Sequence, residues 1–242
     1  MAATPLPLWQ QLHEMPLLWL ALTLLAYGVF ERLYLRAGQR PLLHPVPLTM
    51  AAMIVLLAAT GTPYETYAAG TGLISFLLGP ATVALAVPLY RQVARIRSAA
   101  APVAIALAIG SLTAIFSAVG LGALFGLSAD TLRSLATKSI TTPIAMGVAE
   151  QVGGIPALAA ALVILTGILG AIWGLPWLRR LGIQDLEARG LAMGVASHGI
   201  GTVRSLQDDG EEAGAFAGLG MALNGALSAV LIPLLLRIIG LG

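Results

Sequence analysis

The chain has 242 residues, of which 58% are hydrophobic and 10% charged, with a net charge of +2 and no cysteine. Soluble domains carry roughly 25% charged residues, so this charge is too sparse to cover a water-facing surface, and the apolar excess must face lipid. Nucleic-acid binding is excluded by the lack of any Lys/Arg-rich block, and disulfides, thiolate metal sites and cysteine nucleophiles by the lack of cysteine.

A helix needs about 20 mostly apolar residues to cross the hydrocarbon core. Stretches of that kind follow one another along the chain. Met15–Phe30, extending to about Tyr34, reads as a retained first span rather than a signal peptide. The second lies within Pro41–Tyr64, centred on Val46–Ala59, and the third is Thr66–Tyr90. Val103–Phe125, Ala157–Leu178 and Ala213–Leu236 are further spans, and Gly190–Val203 is a weaker one. No alternating strand pattern appears, so helix is the only suitable spanning structure. The expectation is an all-α polytopic membrane protein with about seven transmembrane helices, some broken or re-entrant, forming a single transmembrane domain over 1–242.

Arginines cluster at Arg32, Arg36 and Arg40, at Arg91, Arg95 and Arg97, and at Arg179 and Arg180. These read as cytoplasmic. The acidic run Asp208, Asp209, Glu211 and Glu212 is placed on the opposite side, giving an external N-terminus and an internal C-terminus.

Two stretches resist assignment as simple spans, Tyr64–Arg97 and Ser128–Gly154, and each contains a proline that suits a helix start. In Leu78-Gly79-Pro80-Ala81-Thr82, proline is suited to a first helical position and clashes in an interior. A half-helix is therefore expected to begin at Pro80, leaving the amide of Thr82 without an intrahelical partner. In Thr141-Thr142-Pro143, Thr142 suits the N-cap and Pro143 the first helical residue. The parallel suggests an inverted repeat with halves at about 64–126 and 128–180. Paired broken helices point to a transporter's binding site, and their N-termini suit a small carboxylate anion. A bare proline kink with no ligand is the competing reading.

Ionisable residues inside an apolar span are costly and face a cavity or a partner. Lys138 stands next to the Pro143 helix start, as the site's cation or as an interfacial anchor. His198, Gly199, Thr202 and Arg204 form a polar cluster within Gly190–Val203 and just beyond. His198 titrates near neutral pH and could shuttle a proton; a structural hydrogen bond is the alternative. Arg204 could hold a carboxylate bidentately or mark the interface. Glu150 could carry a coupling proton or pair with Arg204; a snorkelled residue at a helix end is the competing reading. Gly167, Gly170 and Gly174 read as close helix packing.

Three runs, Leu77–Tyr90, Lys138–Ala145 and Arg189–Thr202, resemble signatures of the LrgB/CidB family, and the resemblance covers roughly residues 15–240. Departures are Ile140, Ser197 and Gly199. The resemblance implies a bacterial inner (plasma) membrane protein with crossed broken helices and inverted repeats. For function it implies two alternatives. One is a secondary carrier of a small monocarboxylate such as pyruvate, glycolate or glycerate. The other is an antiholin-like regulator of murein hydrolase activity and lysis, acting with a small LrgA/CidA-type membrane partner. On the carrier reading, Pro80, Thr82, Lys138, Thr141, Thr142, Pro143, His198, Gly199, Thr202 and Arg204 bind substrate, and His198 or Glu150 couples protons. No cofactor or metal is expected. No His-Glu-x-x-His or Gly-x-Ser-x-Gly motif is present, so an enzyme is not expected. A homo-oligomer stays open.

Overall fold

The structure is a computed structural model that describes residues 15–38, 43–84 and 86–241. Every regular element among the described residues is helical. Four helices are long and apolar enough to cross a bilayer, and Pro45–Thr60 is a shorter apolar helix. The chain divides into two compact units, Met1–Ala84 and Leu85–Gly242, a boundary that falls inside the 64–126 stretch.

The first unit holds α1 (Pro16–Arg36), α2 (Pro45–Thr60), α3 (Tyr64–Gly70) and α4 (Gly72–Ala84). Proline opens α1 and α2, where no intrahelical N–H is needed. Gly61, at φ 65°, ends α2 in the left-handed conformation that glycine adopts without steric cost. Trp19 is fully buried and meets Tyr67 of α3 edge-on, with ring centroids 6.2 Å apart. Arg32 and Arg36 lie in the second half of α1; Arg40 lies outside the described residues.

The expected third span is not one rod. Residues 64–97 form four short helices: α3, α4, α5 (Ala86–Arg91) and α6 (Val93–Ser98). The first break is at Thr71, between Gly70 and Gly72, where each glycine disfavours helix by about 1 kcal/mol relative to alanine. No helix starts at Pro80. Helix α4 runs through it from Gly72 to Ala84, and Pro80 is exposed. Thr82 is therefore near the end of a helix, not in a first turn with free amides. Proline is tolerated inside membrane helices because local backbone adjustment and neighbours can satisfy the freed carbonyl.

The second unit continues with α7 (Ala100–Leu124), α8 (Ala129–Ala136), α9 (Thr142–Gln151), α10 (Pro156–Arg180) and α11 (Leu186–Ile238). Helix α11 is not a single rod either. His198 (φ 42°, ψ −131°) and Gly210 (φ 86°, ψ −170°) break it into stretches 186–197, 199–209 and 211–238. The path follows from the contacts. Ser134 of α8 bonds the amide of Ile155, just before α10, and Arg133 reaches the carbonyls of Gly153 and Leu241. The last turn of α8 and the end of α9 thus both lie at the start of α10, so the chain enters through 137–141 from that side and returns to it along α9 as a hairpin. At the other end of α10, Arg179 binds Asp209, which also lies 2.9 Å from Arg189. The 186–197 and 199–209 arms therefore form a second hairpin, entering from the opposite side with its tip at His198. The expected weak span Gly190–Val203 is instead the tip of this hairpin.

The unit thus reads span, hairpin, span, hairpin, span. Residues 100–151 and 156–209 each give one span followed by one hairpin, in opposite sense. The long helices bury one face and leave the other apolar and bare. On α7, Val103, Leu107, Ser111 and Ile115 are buried, whereas Ile105 and Ile109 are about 60% exposed, as a lipid-facing surface requires.

Candidate functional site

The two hairpin tips meet at Asn224, which lies in the last stretch of α11 and is 1% exposed. Its Nδ2 donates to the Ser139 carbonyl at 2.9 Å, in the first hairpin's tip, and to the Val195 carbonyl at 3.1 Å, near the second's. Its Oδ1 accepts from Ser111 Oγ of α7 at 2.6 Å and from Ser228 Oγ at 3.2 Å. The amide's donors and acceptor are all used, so a costly buried polar group becomes a four-way joint. In the sequence Asn224 shows only as a lone amide in the apolar span Ala213–Leu236.

The first tip is an unwound segment, 137–141, from which α9 starts. Thr141 is the N-cap (φ −69°, ψ 147°), and Pro143 falls in the first turn. The expected half-helix start is present, displaced by one residue: Thr141, not Thr142, caps it. The Thr141 side chain makes no capping bond, so the first-turn amides of α9 remain without that partner. Lys138 Nζ donates to Ser139 Oγ at 3.0 Å. Among the described residues no carboxylate lies within ion-pair distance of Lys138, although seven such pairs occur elsewhere.

The second tip is tight. His198 is buried, and its Nε2 lies 2.9 Å from the Val163 carbonyl of α10. A carbonyl only accepts, so Nε2 carries the proton. Thr202 is fully buried and donates to the His198 carbonyl at 2.8 Å. The glycines of α10 make room for this hairpin. A Cβ on Gly167 would stand 2.7 Å from His198 Cε1, one on Gly170 would overlap Ser197, and one on Gly174 would stand 2.4 Å from Met193 Sδ. On the hairpin's other side, Cβ atoms on Gly190 and Gly194 would strike the Ala213 and Ala217 carbonyls.

A half-open cavity of about 680 Å³ runs between α7 and the 186–197 arm. Lys138 and Ser139 line one end, and Asp185 and Glu187 the other. The far end is the arginine-rich face. There Arg91 pairs with Glu211 and Arg95 with Glu187 and Glu212. The Glu187 hydrogen bond and the Glu212 charge hold the Arg95 guanidinium above its usual range.

These pairs correct the charge reading. The acidic run lies on the same face as Arg91, Arg95 and Arg179 because the return arm of the second hairpin brings it there. Leu241, held by Arg133, lies at the opposite end of α10, so the C-terminal end is not on the arginine-rich side. Arg204 pairs with Asp208 at 2.7 Å, one turn away, and not with Glu150. Glu150 is exposed in the last turn of α9, at the Gly153 end. The structure therefore gathers Lys138, Thr141, Thr142 and Pro143 at one tip, and His198, Gly199 and Thr202 at the other. Arg204 and Glu150 fall outside both tips. Pro80 and Thr82 belong to the first unit, and the Thr82 side chain lies outside the described residues.

Comparison with known proteins agrees over nearly the whole length. The LrgB-like family matches residues 23–238. The chain is similar to the uncharacterized protein YwbG of Bacillus subtilis (strain 168), 36% identical over 90% of this chain and 96% of that protein. It is also similar to the holin-like protein CidB of Staphylococcus epidermidis, 33% identical over 90% and 95%, and to the antiholin-like protein LrgB of Bacillus cereus, 30% identical over 93% and 97%. No solved structure matches. With family, helices and coverage in agreement, the chain is a bacterial multi-pass membrane protein and belongs to the LrgB-like family.

Proposed function

We propose that this protein is a secondary carrier of a small monocarboxylate. The observation that supports it most is Lys138, a cation with no carboxylate partner among the described residues, at the cavity end where two opposed hairpins meet. A half-buried cation in an apolar setting calls for an anion. The start of α9, with Thr141, Thr142 and Pro143, adds amides and a favourable dipole for a carboxylate. His198, at the second tip, is better placed for proton coupling than exposed Glu150. Gly199 and Thr202 shape that tip, Arg204 is engaged by Asp208, and Pro80 and Thr82 have no part in this reading. Movement of the hairpins against the spans would alternate access. The test is uptake of labelled pyruvate and glycolate into proteoliposomes. Wild-type protein should exceed protein-free vesicles, and Lys138→Gln should fall to their level; no uptake by the wild type sinks the carrier reading.

A second reading is favoured by the names of two relatives, holin-like and antiholin-like. On it the protein regulates murein hydrolase activity and lysis together with a small membrane partner. Lysis timing in cells carrying Lys138→Gln separates the two. Timing unchanged while uptake is lost means the two roles are independent. Timing altered in step with uptake means that lysis control acts through transport.

A further inference from the structure

The cavity is larger and more apolar than a two- or three-carbon anion requires. At about 680 Å³ it exceeds such an anion several times over and falls within the roughly 300–1,000 Å³ range of pockets for drug-sized ligands. Its walls are apolar for most of their length, with Pro102, Val103 and Ala106 on one side and Leu191, Val195 and Phe216 on the other. From Pro102 to Thr113 the wall of α7 extends about 17 Å at 1.5 Å per residue.

The polar groups sit at the two ends. At the arginine-rich face, Asp185 accepts the Ala188 amide at 3.0 Å and Glu187 is bonded by Arg95, so both carboxylates are engaged. At the other end Lys138 uses one donor on Ser139 and has no countercharge among the described residues. A ligand that satisfies this arrangement has one anionic head and an apolar body. Water can occupy the space behind a very small anion but gains no polar partners from these walls.

We infer that the cavity takes amphipathic monocarboxylates, with the carboxylate at Lys138 and a short alkyl or similar apolar body along the wall between α7 and the 186–197 arm. This rests on the carrier reading for the role of Lys138 and narrows its substrate class. The head is fixed by charge and the body is selected by burial of methylenes, each worth about fourfold in affinity.

The experiment measures binding of labelled acetate, butyrate and hexanoate to the full chain, purified in detergent, with pyruvate and hexylamine as competitors. Affinity should climb about fourfold per methylene from acetate to hexanoate. Ala192→Phe, which fills the wall, should flatten the climb. Ala106→Leu on the facing wall gives the same readout if that variant does not fold. Lys138→Gln should lose binding across the series, and hexylamine should not compete. If acetate and pyruvate bind but affinity rises less than twofold across the series, the amphipathic class is wrong and the carrier reading stands. If no carboxylate binds at any length, both fall. If hexylamine competes, or hexanoate binds Lys138→Gln as it binds wild type, the gain with chain length is nonspecific partition and the inference is overturned.

Discussion

The two hairpins of the second unit share a plan and differ in how firmly they are held. The first turns through the unwound residues 137–141, presents Lys138 without a countercharge among the described residues, and returns along α9, where Gly147 faces open space. The second turns at one residue, His198, in a backbone conformation that L-residues rarely adopt (φ 42°). Its base is clasped by Arg179, Arg189 and Asp209, and its arms are pressed against neighbouring helices at Gly190, Gly194, Gly170 and Gly174. The polar freedom of one tip and the tight fixation of the other point to a division of labour. On the proposed carrier reading, the first tip offers the binding groups and the second is the more firmly held surface that faces them.

The largest effect is expected where the second hairpin is clasped. Asp209→Ala leaves Arg189, whose side chain is 8% exposed, without its near carboxylate. Breaking a buried pair from one side costs about 3–5 kcal/mol, so thermal melts in detergent should show a severe loss of stability. A melt close to wild type would mean the base is not what holds the hairpin.

Gly194→Ala against Gly147→Ala compares the two hairpins directly. A Cβ on Gly194 stands 2.0 Å from the Ala217 carbonyl oxygen, whereas one on Gly147 meets nothing within 4 Å. The first substitution forces helix 211–238 away and should cost about 1–3 kcal/mol. The second replaces glycine by a better helix former at a helical position and should be neutral or stabilising by up to about 1 kcal/mol. Equal melts for the two variants would remove the difference in packing on which the comparison rests.

Much of this architecture was legible in the sequence, and the failures have physical causes. Composition gives the lipid environment, and Thr141-Thr142-Pro143 gives the α9 start within one residue, because capping and proline preferences act locally. Pro80 misled for the complementary reason: proline favours a helix start, but a membrane helix can absorb it, and nothing local to Leu78–Thr82 decides between them. The acidic run was placed on the wrong face because the charge rule counts crossings, and a hairpin returns the chain to the face it left. His198 was visible as a polar intrusion. Its role as the turning point was not, since a non-glycine residue at positive φ is set by its tertiary surroundings rather than by propensity. Asn224 likewise could be seen as an oddity but not as a joint, because its partners lie 29, 85 and 113 residues away.

That joint is the next point at which the hairpins can be separated. Asn224→Leu keeps the volume roughly and removes the amide's bonds to Ser139, Val195 and Ser111. It leaves the Ser139 and Val195 carbonyls without this donor. Hydrogen bonds between membrane helices average about 0.6 kcal/mol, with the strongest near 1.7, so a loss of about 1–2 kcal/mol is expected in melts. The carrier reading adds that uptake should fall further than stability, since the joint sets the height of Lys138 relative to His198. Uptake that tracks stability alone would reduce Asn224 to a packing residue.

The smallest effect is expected at the rim of the second hairpin. Arg91 and Glu211 form a 3.0 Å pair, but their side chains are 65% and 43% exposed. Exposed pairs contribute about 0–1 kcal/mol and weaken with salt. Glu211→Gln should therefore shift stability by less than about 0.5 kcal/mol, and that small shift should vanish at high ionic strength. The contrast with Asp209 is the informative part, because both acids lie on the same face, two residues apart, and differ chiefly in burial. If Glu211→Gln destabilises as much as Asp209→Ala, burial is not what ranks these contacts. The clasp would then extend to the rim, where Arg91 and Arg95 would hold the hairpin as firmly as Arg179 and Arg189 do.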